Sequence, residues 1–118
     1  MSRKMVYFVS SMLVLGLCLT PPVHAANIIW VSDGYEVDGV KTDQGFIDVL
    51  TNQGHEVDYQ DPTSTPNVGY WRELDSAKIA ALNSADLIII SRLSNSGDYA
   101  NGSEPSQWNS VSTPIIMQ

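Results

Sequence analysis

Asp86, Leu87, Ile88, Ile89 and Ile90 form the most apolar run downstream of residue 25, and their reading decides the fold. An aspartate followed by four apolar residues without alternation leaves no polar face for solvent. That is the pattern of a strand covered on both sides, as in the centre of a parallel sheet. Residues 27–32 (Asn27, Ile28, Ile29, Trp30, Val31, Ser32) read the same way and end on Asp33 and Gly34, a turn signal. Two such strands in one short chain require helical crossovers between them.

The intervening sequence supplies them. Over residues 42–53, Phe46, Val49 and Leu50 keep helical spacing ahead of Gly54, which predicts a short amphipathic helix with those three side chains facing inward. Residues 55–59 alternate, with Val57 and Tyr59 on one face and Glu56 and Asp58 on the other, as suits a strand near the sheet edge. Residues 61–69 are loop by composition, and Tyr70 with Trp71 closes over the sheet. Asp75 or Ser76 caps a helix through Asn83 whose Ile79 and Leu82 point inward. After the central strand comes a polar loop over residues 92–102. Ser103, Glu104 and Pro105 then open a helix to about Val111, and residues 114–118 form a fourth strand. The order strand, helix, strand, helix, strand, helix, strand predicts an α/β fold with a doubly wound parallel sheet and right-handed crossovers.

Residues 1–25 read as an export signal. Arg3 and Lys4 precede an apolar core from Met5 to Leu19, Pro21 and Pro22 break it, and Val23, His24 and Ala25 fit a cleavage site. Removal of 25 of the 118 residues leaves 93, one small domain over residues 26–118, secreted, periplasmic or at the cell surface. Cys18, the one cysteine, lies inside the signal, so the remaining chain has no thiolate nucleophile, disulfide or cysteine-ligated metal. With Arg3 and Lys4 gone, four basic residues face thirteen acidic ones, a net charge of −9. Such a surface repels phosphate backbones and anionic lipids, so neither a nucleic-acid partner nor a membrane partner is expected after signal removal. The far side of the fourth strand calls for further cover, so the reading is the front part of a longer domain.

The pattern resembles the flavodoxin-like domains of the class I glutamine amidotransferase-like superfamily, including its trehalose-utilisation family. Residues 27–33 as first strand and turn, 46–55 as first helix and exit, 85–92 as the aspartate-led strand and 108–117 as helix end and last strand carry the resemblance. It implies a flavodoxin-like sheet. Active members use a cysteine on a sharp turn with a histidine and an acidic residue, and the mature chain lacks that cysteine.

In such a sheet ligands bind outside the carboxyl ends of the strands, where the strand order reverses. With strands in the order second, first, third, fourth, that place lies between the loops after the first and third strands. Asp33, Tyr35, Arg92, Asn95, Asp98 and Tyr99 are the candidate ligand-binding residues there, with Ser96 beside them. Asp33 and Arg92 could pair across the crevice, and Asn95, Ser96, Asp98 and Tyr99 offer amide, hydroxyl, carboxylate and ring to a small polar ligand or carbohydrate. The same residue types also build ordinary turns and structural ion pairs. Asp33, Glu36, Asp38 and Asp43 cluster, but Gly34 and Gly45 stand where a twelve-residue calcium loop needs carboxylates, so a solvated acidic loop is expected. His55 stands alone, which disfavours zinc. No Gly-rich phosphate loop and no nucleophile elbow is present, so no cofactor and no catalytic residue is assigned. Of the tryptophans, Trp30 reads as core and Trp71, among polar neighbours, as the better stacking surface for a sugar.

Two functions fit these residues. The first is an exported, non-catalytic ligand-binding or interaction domain, with further domains of the same polypeptide as possible partners. The second is the N-terminal part of a hydrolase or sugar-processing enzyme whose catalytic residues lie beyond Gln118.

Overall fold

The computed structural model describes residues 24–34, 36–60 and 69–118. The expected signal, Tyr35 and the loop over residues 61–68 lie outside the described residues. Elements follow in the order β1 (Asn27–Val31), β2 (Glu36–Val37), β3 (Val40–Lys41), α1 (Gln44–Asn52), β4 (Glu56–Tyr59), α2 (Ser76–Ser84), β5 (Leu87–Ile90), α3 (Glu104–Trp108) and β6 (Ile115–Met117). A single 3₁₀ turn, Ser96–Tyr99, precedes α3.

The main sheet has four strands in the order β4-β1-β5-β6, and every pair is parallel. The fold is therefore α/β with a flavodoxin-like, doubly wound layout, and the strand order reverses between β1 and β5, as in the order second, first, third, fourth considered above. Helix α1 packs on one face, where Ile47 meets Ile28, Trp30 and Ile89. On the other face α2 and α3 set Leu82 and Trp108 against Ile29, Val31 and Ile88. Residues 28–31 of β1 and 87–90 of β5 are apolar throughout and are buried or nearly so on both faces, with only Asn27 at the start of β1 exposed. Edge strand β4 alternates, with Glu56 and Asp58 exposed and Val57 and Tyr59 half-buried.

Several expectations are corrected. Phe46 and Val49 are 45% and 55% exposed, and Ile47 with Leu50 forms the inward side of α1. A period of 3.6 fits either pair, so spacing identifies the helix without fixing its phase. Trp71 is 3% exposed and belongs to the core with Leu74 and Leu82, so it offers no ligand surface. The supposed acidic loop contains the antiparallel hairpin of β2 and β3, turned at Asp38 (φ 51°) and Gly39 (φ 79°). Asp-Gly is the pair that tolerates two positive φ values in a tight hairpin. Helix α3 is only five residues long, shorter than expected.

Local caps follow from sequence. Asp75 accepts a hydrogen bond from the Lys78 backbone N–H at 2.8 Å and starts α2. His55 Nδ1 accepts from the Ala26 backbone N–H at 3.2 Å, which ties the entry of β1 to that of β4 and gives this histidine a structural task. Among the described residues no helix is long and apolar enough to cross a membrane.

Candidate functional site

The carboxyl ends of β1 and β5 deliver Ser32 and Ser91, each directly after an apolar strand and each buried. Both hydroxyls donate to one carboxylate, Asp43, from Ser32 at 2.5 Å and from Ser91 at 3.1 Å. The Trp30 indole N–H donates to it as well, at 3.1 Å. Asp43 stands at the N-cap of α1 yet makes no side-chain cap bond, because its carboxylate is turned inward to these three donors. It is 1% exposed, the opposite of the solvated carboxylate expected at this position. The serine oxygens also accept, Ser32 from the Gly34 N–H at 2.9 Å and Ser91 from the Leu93 N–H at 3.1 Å. One buried anion therefore fixes the start of both crevice loops and locks them to α1. A buried carboxylate is tolerable only when donors replace its water, as they do here.

Above this floor lies the crevice proper. Asp33 is half-buried and its Oδ1 accepts from the Tyr99 hydroxyl at 2.9 Å. These two predicted residues are brought together from 66 positions apart. Gly69 closes on the same carboxylate, since a Cβ there would lie 1.9 Å from Asp33 Oδ1. Any larger residue at 69 must displace the aspartate. The Tyr99 ring packs edge-on to Trp108 at 5.9 Å between centroids.

Beside Tyr99 opens a groove of about 380 Å³ lined by Ile90, Ser94, Ser96, Trp108, Asn109, Ile115 and Met117. Its lining is mainly apolar, with the hydroxyls of Ser94 and Ser96 and the amide of Asn109 among it. The Trp108 indole N–H is buried and has no acceptor among the described residues.

The remaining predicted residues fare differently. Arg92 is exposed, and among the described residues no ion pair joins it to Asp33, so the expected bridge across the crevice is replaced by the Asp33–Tyr99 bond. The loop turns at Arg92 and Leu93 under the Ser91 hydroxyl, which carries the guanidinium outward. Asn95 uses its side-chain oxygen to accept from the Gly97 N–H at 3.1 Å, capping the 3₁₀ turn. Asp98 lies within that turn, and its side chain and the whole of Tyr35 fall outside the described residues. No group of metal-ligating side chains is assembled among the described residues.

Burial pushes the Tyr99 phenol well above the ordinary tyrosine range, and the charge and hydrogen bond of Asp33 push it further. The neutral phenol is thus the form the fold favours. Because the folded pKa exceeds the unfolded one, the stabilisation is complete below about pH 10, the unfolded value, and is lost as pH rises toward the folded value. Urea midpoints across alkaline pH should therefore fall more steeply for the native chain than for Tyr99→Phe, and parallel curves would show that the phenol is not held this way.

Sequence reasoning missed Asp43, Ser32 and Ser91. Their signal was present as a hydroxyl residue at the exit of each fully apolar strand. No family model matches the chain, and neither the curated proteins nor the solved structures give a match to it.

Proposed function

We propose that the chain is an exported, non-catalytic ligand-binding domain of amidotransferase-like layout, whose ligand is a small neutral polyol or carbohydrate. The observation that carries this reading is the groove beside Tyr99, bounded by residues of β5, β6, α3 and the loop after β5, which combines apolar side chains with hydroxyls and an amide. Sugar rings present apolar C–H faces and a perimeter of hydroxyls. Trp108, Ile90 and Ile115 suit the first, and Ser94, Ser96 and Asn109 the second. Anionic ligands are disfavoured by the excess of acidic over basic residues. Export rests on the composition of residues 1–25, and the absence of catalysis on a chain whose one cysteine is Cys18.

The test is calorimetric titration with a panel of neutral monosaccharides, disaccharides and polyols alongside their phosphorylated counterparts. A neutral sugar should bind, its phosphate ester should bind worse, and Asn109→Ala should weaken binding roughly tenfold, the effect of one lost hydrogen bond to a ligand. Heat only from the phosphorylated compounds, or from none, would refute the proposal.

A further inference from the structure

Asn101 and Gly102 stand exposed in the turn that opens α3. Of the seven asparagines in the sequence, Asn101 alone is followed by glycine; the others precede Ile28, Gln53, Val68, Ser84, Ser96 and Ser110. A residue without a Cβ lets its backbone nitrogen come close to the preceding side chain, an approach that any larger residue hinders. At Gly102 the way is open. Its φ is 53°, and a Cβ built there would meet no heavy atom within 4 Å. The Gly102 N–H donates to no acceptor among the described residues. The Asn101 side chain is tied by a hydrogen bond from Nδ2 to the Gly97 C=O, which at 3.3 Å is long and open to water. Exposed turns of this kind open at small cost.

We propose that Asn101–Gly102 is a site of intramolecular deamidation, and that its isoaspartyl product loosens α3 and the Tyr99 wall of the groove. The Gly102 nitrogen gives its proton to solvent base and attacks Asn101 Cγ. A carbon–nitrogen bond forms, the Cγ–Nδ2 bond breaks, and Nδ2 leaves as ammonia. The cyclic imide then takes up one water. Cleavage between the nitrogen and Cγ gives an ordinary aspartyl residue, whereas cleavage at the main-chain carbonyl carbon gives an isoaspartyl residue, with the chain running through Cβ and Cγ. In sum an amide and a water become a carboxylic acid and ammonia.

The turn cannot keep its bonds through this change. The Asn101 N–H donates to Glu104 Oε2 at 2.9 Å, and the Asn101 C=O accepts from the Glu104 N–H at 3.0 Å. In the isoaspartyl chain that carbonyl becomes a free carboxylate, a second negative charge beside the buried Glu104, and the backbone into α3 is one atom longer. Both products also lose the Nδ2 donor to Gly97, in the 3₁₀ turn that carries Tyr99. Trp108, on which the Tyr99 ring packs, is the last residue of α3. An exposed turn that does not line the groove thus acts on two residues that do. The inference rests on the chemistry of this turn and not on what the groove binds.

The purified protein, held warm at mildly alkaline pH and then mapped by proteolysis and mass spectrometry, should lose the Asn101 amide first. The altered peptide should separate into aspartyl and isoaspartyl forms, the second accepting methyl groups from an isoaspartyl methyltransferase. Gly102→Ala, whose added methyl has open space, should keep the native circular dichroism and react several-fold more slowly or less. Asn101→Gln should not react on the same timescale, because its longer side chain closes the ring poorly. In the isolated isoaspartyl form the amide shifts of α3 and Tyr99 should move, while those of Ala26 and His55 at the opposite end of the sheet stay in place. Retention of the Asn101 amide while another asparagine converts, or at all practical times, would overturn the proposal. So would an undiminished rate in Gly102→Ala, or an isoaspartyl form in which α3 and Tyr99 are unmoved.

Discussion

Ile88→Asp should abolish folding. Ile88 is 0% exposed at the middle of β5, with β1 on one side and β6 on the other; its backbone N–H donates to Pro114 C=O at 3.0 Å, and its side chain packs in the core with Leu82 and Ile29. A carboxylate there has no cation and no donor to replace its hydration, and burying it unpaired costs several kcal/mol, on the order of the whole stability of a small domain. Amide proton spectra should lose their dispersion and far-ultraviolet dichroism its helical and sheet signature. Ile88→Val, which removes one methylene without adding charge, should cost only about 1 kcal/mol and lower Tm by roughly 4–8 °C. A folded Ile88→Asp chain with native dispersion would mean that β5 is not the buried centre of the sheet.

Asp43→Ala should be the next most damaging change, although it removes a side chain that the sequence presents as one acid among many. It strands three buried donors, on Trp30, Ser32 and Ser91, and opens the junction between α1 and the two crevice loops. Each stranded donor costs about 1–3 kcal/mol, and with partial relaxation the sum is on the order of 3–6 kcal/mol. Denaturant midpoints measure it directly. Ser91→Ala alone leaves Asp43 two donors and should cost about 1 kcal/mol. In the Asp43→Ala background the same serine change should cost nothing or restore some stability, because it deletes a donor already without an acceptor. Additive losses in that cycle would show that the Ser91 hydroxyl and the Asp43 carboxylate do not depend on each other.

The contrast between these two residues marks what can be read from the letters. Ile88 was legible because four apolar residues in a row admit one environment. The parallel α/β layout followed from alternation with short helices, whereas the order β4, β1, β5, β6 was one of the orders that alternation and right-handed connections allow. Asp43 was not legible, because a carboxylate near Asp33, Glu36 and Asp38 resembles a solvated cluster until the fold brings Ser32 and Ser91 to it. Trp71 was misjudged for a related reason. Its neighbours Arg72, Glu73 and Asp75 are polar, yet the segment turns its indole onto the sheet face above Ile29 and Ile88. The hairpin at Asp38 and Gly39 carried a clear turn signal that the search for metal-ligand spacing passed over. Within the candidate site, topology located the crevice and paired Asp33 with the loop after β5. The partner within that loop is Tyr99, because a tyrosine seated on Trp108 reaches inward where Arg92 extends into solvent.

The central claim is that the groove beside Tyr99 receives a neutral, hydroxyl-rich ligand, and amide chemical-shift mapping during titration with the tightest-binding neutral sugar tests it most directly. The shifts should centre on Asp33, Ser94, Ser96, Tyr99 and Asn109 and saturate together with the calorimetric curve. Saturable shifts confined to residues distant from this groove, or no saturable shifts with any neutral sugar, would contradict it.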